Sequence, residues 1–298
     1  VIGEFVRVIT SDGLELQGVL ATQKAGPVDT SLLHIHGLAG NFYENRLVDY
    51  VAEAAVSRRA NFLSVNNRGH DYISDFICQQ ANSPLTYRQI GGIYEIFEEC
   101  ILDIEAWIRF LKTRGTRRII LQGHSHGALK AVYYMHNANN PDIVGLVLLS
   151  PSDDFGMQRS RLAGRFEEAL RVAADLVSQG KGASLMPEAY FHYPISARTY
   201  MDTFGAGSHL KIFNLSKTDT DGLAELASIG VPVLVIVGSV DEEFVGSPEE
   251  YISGLSASMR NVKDFSGHVV DGAPHNYLEY EEEVAKRTGE WLGERFGK

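Results

Sequence analysis

The chain has 298 residues, 44% of them hydrophobic, enough to bury a large core in one or two domains. Its 38 acidic residues against 27 Lys and Arg give a formal net charge of −11 with no basic stripe, which argues against a nucleic-acid partner. The two cysteines, Cys78 and Cys100, match no metal spacing or disulfide framework, and no apolar run reaches the roughly 18 residues of a membrane-crossing helix.

At the N-terminus EFVRVIT and LELQGVL flank the turn SDG, and the alternation of the first predicts a hairpin. SLLHIHG is a short strand of the buried type, followed by Leu47, Val48, Val51, Ala54 and Ala55 at helical spacing. NFLSVNNRGHD is a strand running into a polar loop. Ile93, Ile96, Phe97, Cys100, Ile101, Ile104, Ile108 and Leu111 then share one face of a helix predicted to begin near Ile93. RRIILQG, the helical stretch after Ser125, DIVGLVLLSP, VPVLVIVG, NVKDFSG and a last helix with Val284, Trp291 and Leu292 continue the alternation. Strands separated by crossover helices imply a mainly parallel sheet covered on both faces. From Ser152 to about Thr220 the alternation stops. Leu162, Phe166, Leu170, Ala173 and Val177 form a helical stripe there, followed by the aromatic stretch EAYFHYPISARTYMDTF. Residues 1–151 and 222–298 therefore read as one α/β core, and 152–221 as a helical cap inserted after the sixth strand.

The stretch Gly123-His124-Ser125-His126-Gly127 is Gly-x-Ser-x-Gly between a strand and a helix. In that context the glycines allow a turn too sharp for side chains, and the turn lifts the serine hydroxyl above the carboxyl edge of the sheet. The N–H of His126, at the helix N-terminus, would face an anion forming beside Ser125. A serine hydroxyl needs a base and a group to orient that base. VPVLVIVGSVDEEF ends a strand in a loop carrying Asp241, and VVDGAPHNYLEY places His275 just before the last helix. Serine, acid, histidine is the chain order of this architecture.

With HIHGLAG, NNRGHD, GHSHG, VGSVDEEF and GAPHNY in this sequence, the chain resembles the α/β-hydrolases over Phe5–Pro151 and Gly222–Phe296. The pattern GGIYEIFEECILDIEAWIRFL is also similar to a branch related to fungal siderophore esterases. The resemblance implies a serine hydrolase that cleaves a small-molecule carboxylic ester through an acyl-enzyme, without metal or organic cofactor. Its nucleophile would be Ser125, its base His275 and its orienting acid Asp241. HGLAG departs from the His-Gly-Gly-Gly form of lipases and esterases, and the second oxyanion donor is assigned to the N–H of Leu38. The same triad would serve amide, thioester or carbon–carbon hydrolysis or acyl transfer, and a binding protein on this fold would be marked by an incomplete triad.

Other residues compete for these roles. His268 lies seven positions before His275 but ends a strand pattern, and Asp153 and Asp154 follow a strand from which some family members supply the acid. His36 is expected to fix the oxyanion loop by hydrogen bonding, His34 to be a core residue and His70 to be structural. His124 is a candidate substrate contact, as are Phe191, Tyr193 and Tyr200, although Tyr190, Phe204 and these aromatics would equally fit a plain core. The free thiols and the absence of a leader-like pattern in VIGEFVRVITSDG point to a cytoplasmic protein, in a chain whose start at Val1 leaves room for a removed segment.

Overall fold

A computed structural model describes residues 2–23, 26, 28–80, 83–215 and 223–297. An eight-stranded sheet forms the centre. Strands β1 (Ile2–Ile9) and β2 (Glu15–Thr22) make the expected antiparallel hairpin at one edge. Next come β3 (Thr30–Ile35), helix α1 (Leu47–Ser57), β4 (Asn61–Val65), and a separate two-stranded hairpin of β5 (Ser74–Cys78) and β6 (Thr86–Ile90). Helix α2 (Cys100–Thr113), β7 (Arg118–His124), α3 (His126–Ala138) and β8 (Ile143–Leu149) complete the first half. The sheet resumes with α7 (Leu223–Ser228), β9 (Val233–Gly238), α8 (Pro248–Ser258), β10 (Phe265–Val270) and α9 (Glu281–Phe296). The strand order is β1-β2-β4-β3-β7-β8-β9-β10; β2 pairs antiparallel with β4, and every later pairing in this sheet is parallel.

Period-two alternation sorts the strand side chains between two cores. Leu33, Ile119, Leu121, Leu146, Leu148, Val233 and Val235 face the side covered by α2 and α3, with Trp107, Leu111, Leu129 and Val132. Leu32, Ile120, Val147, Leu149, Leu234 and Ile236 face α1 and α9, with Leu47, Val51, Ala55, Trp291 and Leu292. Each of these leucine, isoleucine and valine side chains, fully buried, contributes about 1.5–3 kcal/mol. Uniform apolarity is what a strand buried on both faces requires.

Two expectations are corrected, and one hairpin is added. Regular helix starts at Cys100, not near Ile93, after a 3-10 turn at Phe97–Glu99. The apolar spacing loses there to tertiary contacts: Gly91 takes φ 87° against the Tyr72 carbonyl, Glu95 turns inward onto Lys130, and Ile96 is extended. The last strand begins at Phe265 rather than in NVKD and runs through His268. The 74–90 hairpin leaves a weak mark in the sequence: Phe76 and Cys78 of β5 alternate inward, but four of the five residues of β6 are exposed.

Between β8 and β9 lie α4 (Asp154–Leu162), α5 (Phe166–Ser178) and α6 (Ala197–Phe204). The stripe from Leu162 to Val177 spans a break, because Ala163 has φ 46° and ends α4. These helices hold an apolar cluster of their own, including Phe155, Phe166, Ala173, Phe191, Ile195, Tyr200 and Phe204, against which Leu38 of the core packs. The expected end of the insert at residue 221 lies outside the described residues.

Next to the hairpin and α2, the Arg of NNRGH is a structural staple. Arg68 is fully buried after β4, bonded to the buried Asp103 of α2 (2.8 Å) and to Asp12 of the first turn and Glu99. His70 beside it bonds its neighbour Asp71 and packs edge-on against Phe76. Both cysteines are buried and free.

Candidate active site

Ser125 sits between β7 and α3 with φ 54° and ψ −127°, a conformation that costs a non-glycine residue about 1–3 kcal/mol and is held by its surroundings. The glycines on either side explain how. A Cβ on Gly127 would lie 2.2 Å from the Ile35 carbonyl, and one on Gly123 would lie 2.3 Å from the Gly127 carbonyl. The Ser125 N–H donates to Leu149 O at 2.9 Å, tying the turn to the end of β8.

Two further loops meet it at the same edge of the sheet. The loop after β9 carries Asp241, and the loop after β10 carries His275. His275 Nε2 lies 2.8 Å from Ser125 Oγ across 150 residues of chain, and His275 Nδ1 lies 2.9 Å from Asp241 Oδ1. The Asp241 side chain is 0% exposed and also accepts the Glu243 N–H at 3.0 Å. Burial pushes its carboxyl up, but the bond and charge of His275 and the Glu243 N–H outweigh burial and hold it below the usual carboxylate value. Burial disfavours a charged His275 in the same way, yet the bond to Asp241 and the charges of Asp241, Glu243 and Asp154 keep the ring above the ordinary histidine value. With Nδ1–H directed at the carboxylate, Nε2 is the nitrogen free to take a proton from the serine.

The competing residues lie elsewhere. His268 contacts Arg287 at 3.0 Å on β10. Asp153 caps α4 by accepting the Gly156 N–H at 2.8 Å, and burial, with the Asp154 charge, raises its carboxyl to about 7. Asp154 pairs with His126 Nδ1 at 2.6 Å rather than with His275.

His126 is the first residue of α3, so its N–H has no acceptor within the helix and stands at the positive end of the helix dipole. The loop after β3 approaches from the other side. A Cβ on Gly37 would lie 3.1 Å from Ser125 Cβ, so only glycine lets the Gly37–Leu38 peptide come this close. His36 Nδ1–H donates to Gly37 O at 2.7 Å, while its Nε2 accepts the Asn67 N–H at 3.2 Å. Burial and the Lys130 charge push that ring well below the ordinary histidine value, keeping it neutral. His34 is a core residue 2.8 Å from Gln122.

A cavity of about 270 Å³ opens over Ser125, bounded by core residues on one side and by the insert on the other. Leu38, Phe97, Met157, Phe191, Ile195 and Phe204 give it an apolar wall. Phe191 and Tyr193 belong to the lining, Tyr193 being 43% exposed at the rim and stacked obliquely against Tyr72. Tyr200 does not reach the cavity: it is fully buried behind Phe191 and Phe204, with Gln158 donating to its hydroxyl at 3.1 Å. His124 touches the cavity, but its Nε2–H donates to the His275 backbone carbonyl at 2.9 Å, and burial holds its ring near 4. That bond ties the loop of His275 to the elbow. Sequence reasoning missed Glu95, Met157, Gln158, Arg161 and Thr199 on the wall, since only the packing of distant segments brings them there.

Among the described residues no cluster of three or more His, Cys, Asp or Glu side chains could hold a metal ion, and no helix is long and apolar enough to cross a membrane.

A sheet of this order with a serine elbow after the fifth of its eight strands defines an α/β-hydrolase architecture. The model of the alpha/beta hydrolase family matches residues 32–287, and the chain belongs to that family. The phospholipase YtpA of Bacillus subtilis is 28% identical over 100 residues, a stretch covering 34% of this chain and 38% of that protein. Among solved structures, the chain resembles an esterase from Pyrococcus furiosus, with 19% identity, 98% of this chain and 91% of the other covered, and a TM-score of 0.62. It also resembles the siderophore hydrolase EstB of Aspergillus fumigatus, with 14% identity, 94% of each chain covered and a TM-score of 0.66.

Proposed function

We propose that the protein is a serine hydrolase that cleaves a carboxylic ester of a small molecule. The observation that carries this reading is the continuous line Asp241–His275–Ser125, with contacts of 2.9 and 2.8 Å. Ser125 Oγ attacks the ester carbonyl while His275 Nε2 takes its proton. Asp241 holds the imidazole tautomer and the imidazolium that forms. The oxyanion of the tetrahedral intermediate is stabilised by the N–H groups of His126 and Leu38. His275 returns the proton to the leaving alcohol, leaving an acyl-enzyme, and a water activated by the same base releases the acid. Every step uses groups of this chain, and none calls for a metal or organic cofactor.

Ester rather than amide or thioester cleavage is favoured by the company the chain keeps, an esterase among similar folds and a phospholipase among similar sequences. The insert acts as a cap in this reading: Phe191 and Tyr193 select the acyl or alkyl group that fits beneath it. Free thiols at Cys78 and Cys100 suit a reducing, cytoplasmic setting. A fluorophosphonate probe tests the reading directly. It is expected to modify Ser125 and no other serine, and Ser125→Ala is expected to abolish turnover of a short activated ester while leaving the melting temperature unchanged. Labelling elsewhere, or turnover by the variant, would overturn it.

A further inference from the structure

Behind Leu38 runs a chain of hydrogen bonds for which the proposed reaction has so far given no use. The Gly37 carbonyl and the Leu38 N–H are opposite ends of one planar trans peptide, so whatever fixes the oxygen also fixes the direction of the N–H. That oxygen receives the Nδ1–H of His36 and, at 3.2 Å, the Gly40 N–H. His36 keeps its proton on Nδ1 because Nε2 is occupied by the Asn67 N–H. Asn67 is fixed in turn: its Oδ1 accepts the Gly69 N–H at 3.0 Å and Lys130 Nζ at 3.1 Å. Lys130, on the elbow helix α3, is wholly buried and bonded to Glu95 at 2.5 Å, whose side chain is 4% exposed and lines the cavity.

A buried ion pair is a poor stabiliser. Desolvation costs several kcal/mol per ion, and an apolar pair of the same shape is often no less stable. What this pair supplies is direction. The segment that carries Glu95 is pressed against both ends of the chain of bonds: a methyl group on Gly69 would collide with the Glu95 carboxylate, and one on Gly92 would lie 3.1 Å from Ala39 Cβ. We infer that Lys130, held by Glu95, is a positioning residue that acts through Asn67 and His36 to aim the Leu38 N–H at the oxyanion forming beside Ser125. This rests on the reading of Ser125 as the nucleophile.

The test combines Lys130→Met with Glu95→Gln, removing both charges so that neither is left unpaired. With a melting temperature close to the parent's, the double variant is expected to lose about tenfold to a hundredfold in kcat, less than the ~10²–10³ lost when an oxyanion donor is deleted outright. KM is expected to stay within about twofold of the parent. Affinity for a boronic acid that adds to Ser125 as a tetrahedral adduct should fall by the same factor as kcat, and affinity for an uncharged amide analogue of the ester should not. His36→Asn, whose amide nitrogen can stand where Nδ1 stood, should retain more kcat than His36→Gln, which mimics Nε2. If the double variant folds poorly, the two His36 variants, which leave the Lys130–Glu95 pair intact, give the same readouts. Unchanged kcat and boronate affinity, or equal activity of His36→Asn and His36→Gln, would overturn the inference. The parent separates the two levels: labelling at Ser125 with unmoved variants sinks only the positioning role, whereas a parent that neither labels nor binds boronate at Ser125 sinks the reading and the inference together.

Discussion

On the two sides of Ser125 the chain builds the same pair, a carboxylate against the Nδ1 of a histidine. On the β9 side, Asp241 meets His275 at 2.9 Å with its side chain fully buried. On the α4 side, Asp154 meets His126 at 2.6 Å with its side chain 21% exposed. Composition and contact distance do not separate the two. The remaining ring nitrogen does, because His275 Nε2 lies against Ser125 Oγ while the His126 ring packs edge-on against Phe97. The first pair joins core to core. The second joins the elbow to the insert, and its natural consequence is docking rather than proton transfer.

The sharpest way to break this comparison is to neutralise each acid in turn. Asp241→Asn is expected to lower kcat by about 10⁴, roughly 5 kcal/mol of transition-state stabilisation, with little change in melting temperature, since the amide favours the wrong imidazole tautomer. Asp154→Asn is expected to stay within about tenfold in kcat, a margin of about 1.4 kcal/mol. Steady-state kinetics on one activated ester decides it, and a collapse of the second variant with the first intact would reverse the roles of the pairs. A smaller effect concerns selectivity. If the α4 pair docks the insert, Asp154→Asn should shift the ratio of kcat/KM for long and short acyl esters in the same direction as Phe191→Ala or Tyr193→Ala, and more than Tyr200→Ala, whose ring lies behind the wall. An unchanged ratio in all four would remove the insert from substrate selection.

The pH profile sharpens the comparison further. A base must be neutral to act, so kcat/KM should rise with pH through an inflection above the ordinary histidine value, given that Asp241 raises His275. In Asp241→Asn the residual activity should show that inflection moved to lower pH, and in Asp154→Asn it should move less. A separate effect, on stability rather than on turnover, belongs to Asp153. Its carboxyl, raised from 3.8 to about 7 by burial, favours the fold fully below about 3.8, and that contribution is lost as pH rises towards 7. Asp153→Asn keeps the cap on Gly156 and removes the ionisation. Its melting temperature should exceed the parent's above pH 7, by about 2–4 °C for each kcal/mol, and match it near pH 3.5. A constant difference across that range would contradict the assigned cause.

Much of this was legible in the residues because it depends on rules local in sequence. The elbow needs glycine at 123 and 127 for backbone clearance, and buried parallel strands need continuous apolar runs, so both leave a pattern. Asp241 and His275, the residues that the resemblance implies, stand in line with Ser125, whereas Asp153 caps α4, Asp154 pairs with His126 and His268 lies against Arg287. What sequence reasoning misjudged depends on tertiary contacts. Ile93 and Ile96 have helical spacing, but Glu95 between them is drawn to Lys130, thirty-five residues away, and the backbone follows it. Tyr200 and Phe191 are both aromatic and close in sequence; only the packing of α6 decides that one faces the cavity and the other the insert's interior. Glu95 and Lys130 gave no signal, since a buried pair reads as two ordinary charges until the fold joins them.

The line Asp241–His275–Ser125 closes chain separations of 34 and 150 residues. Contacts so distant along the chain are among the slowest to form, because the entropy of the intervening loops is lost before the contact can compensate it. Ser125 can therefore be properly turned between β7 and α3 while His275, its proposed base, is not yet beside it. On refolding from denaturant, far-UV ellipticity should recover first, and reactivity of Ser125 towards a fluorophosphonate should lag behind it, returning only when the segment from β9 to α9 has docked. The reactivity of one serine would then serve as a clock for the completion of the whole sheet.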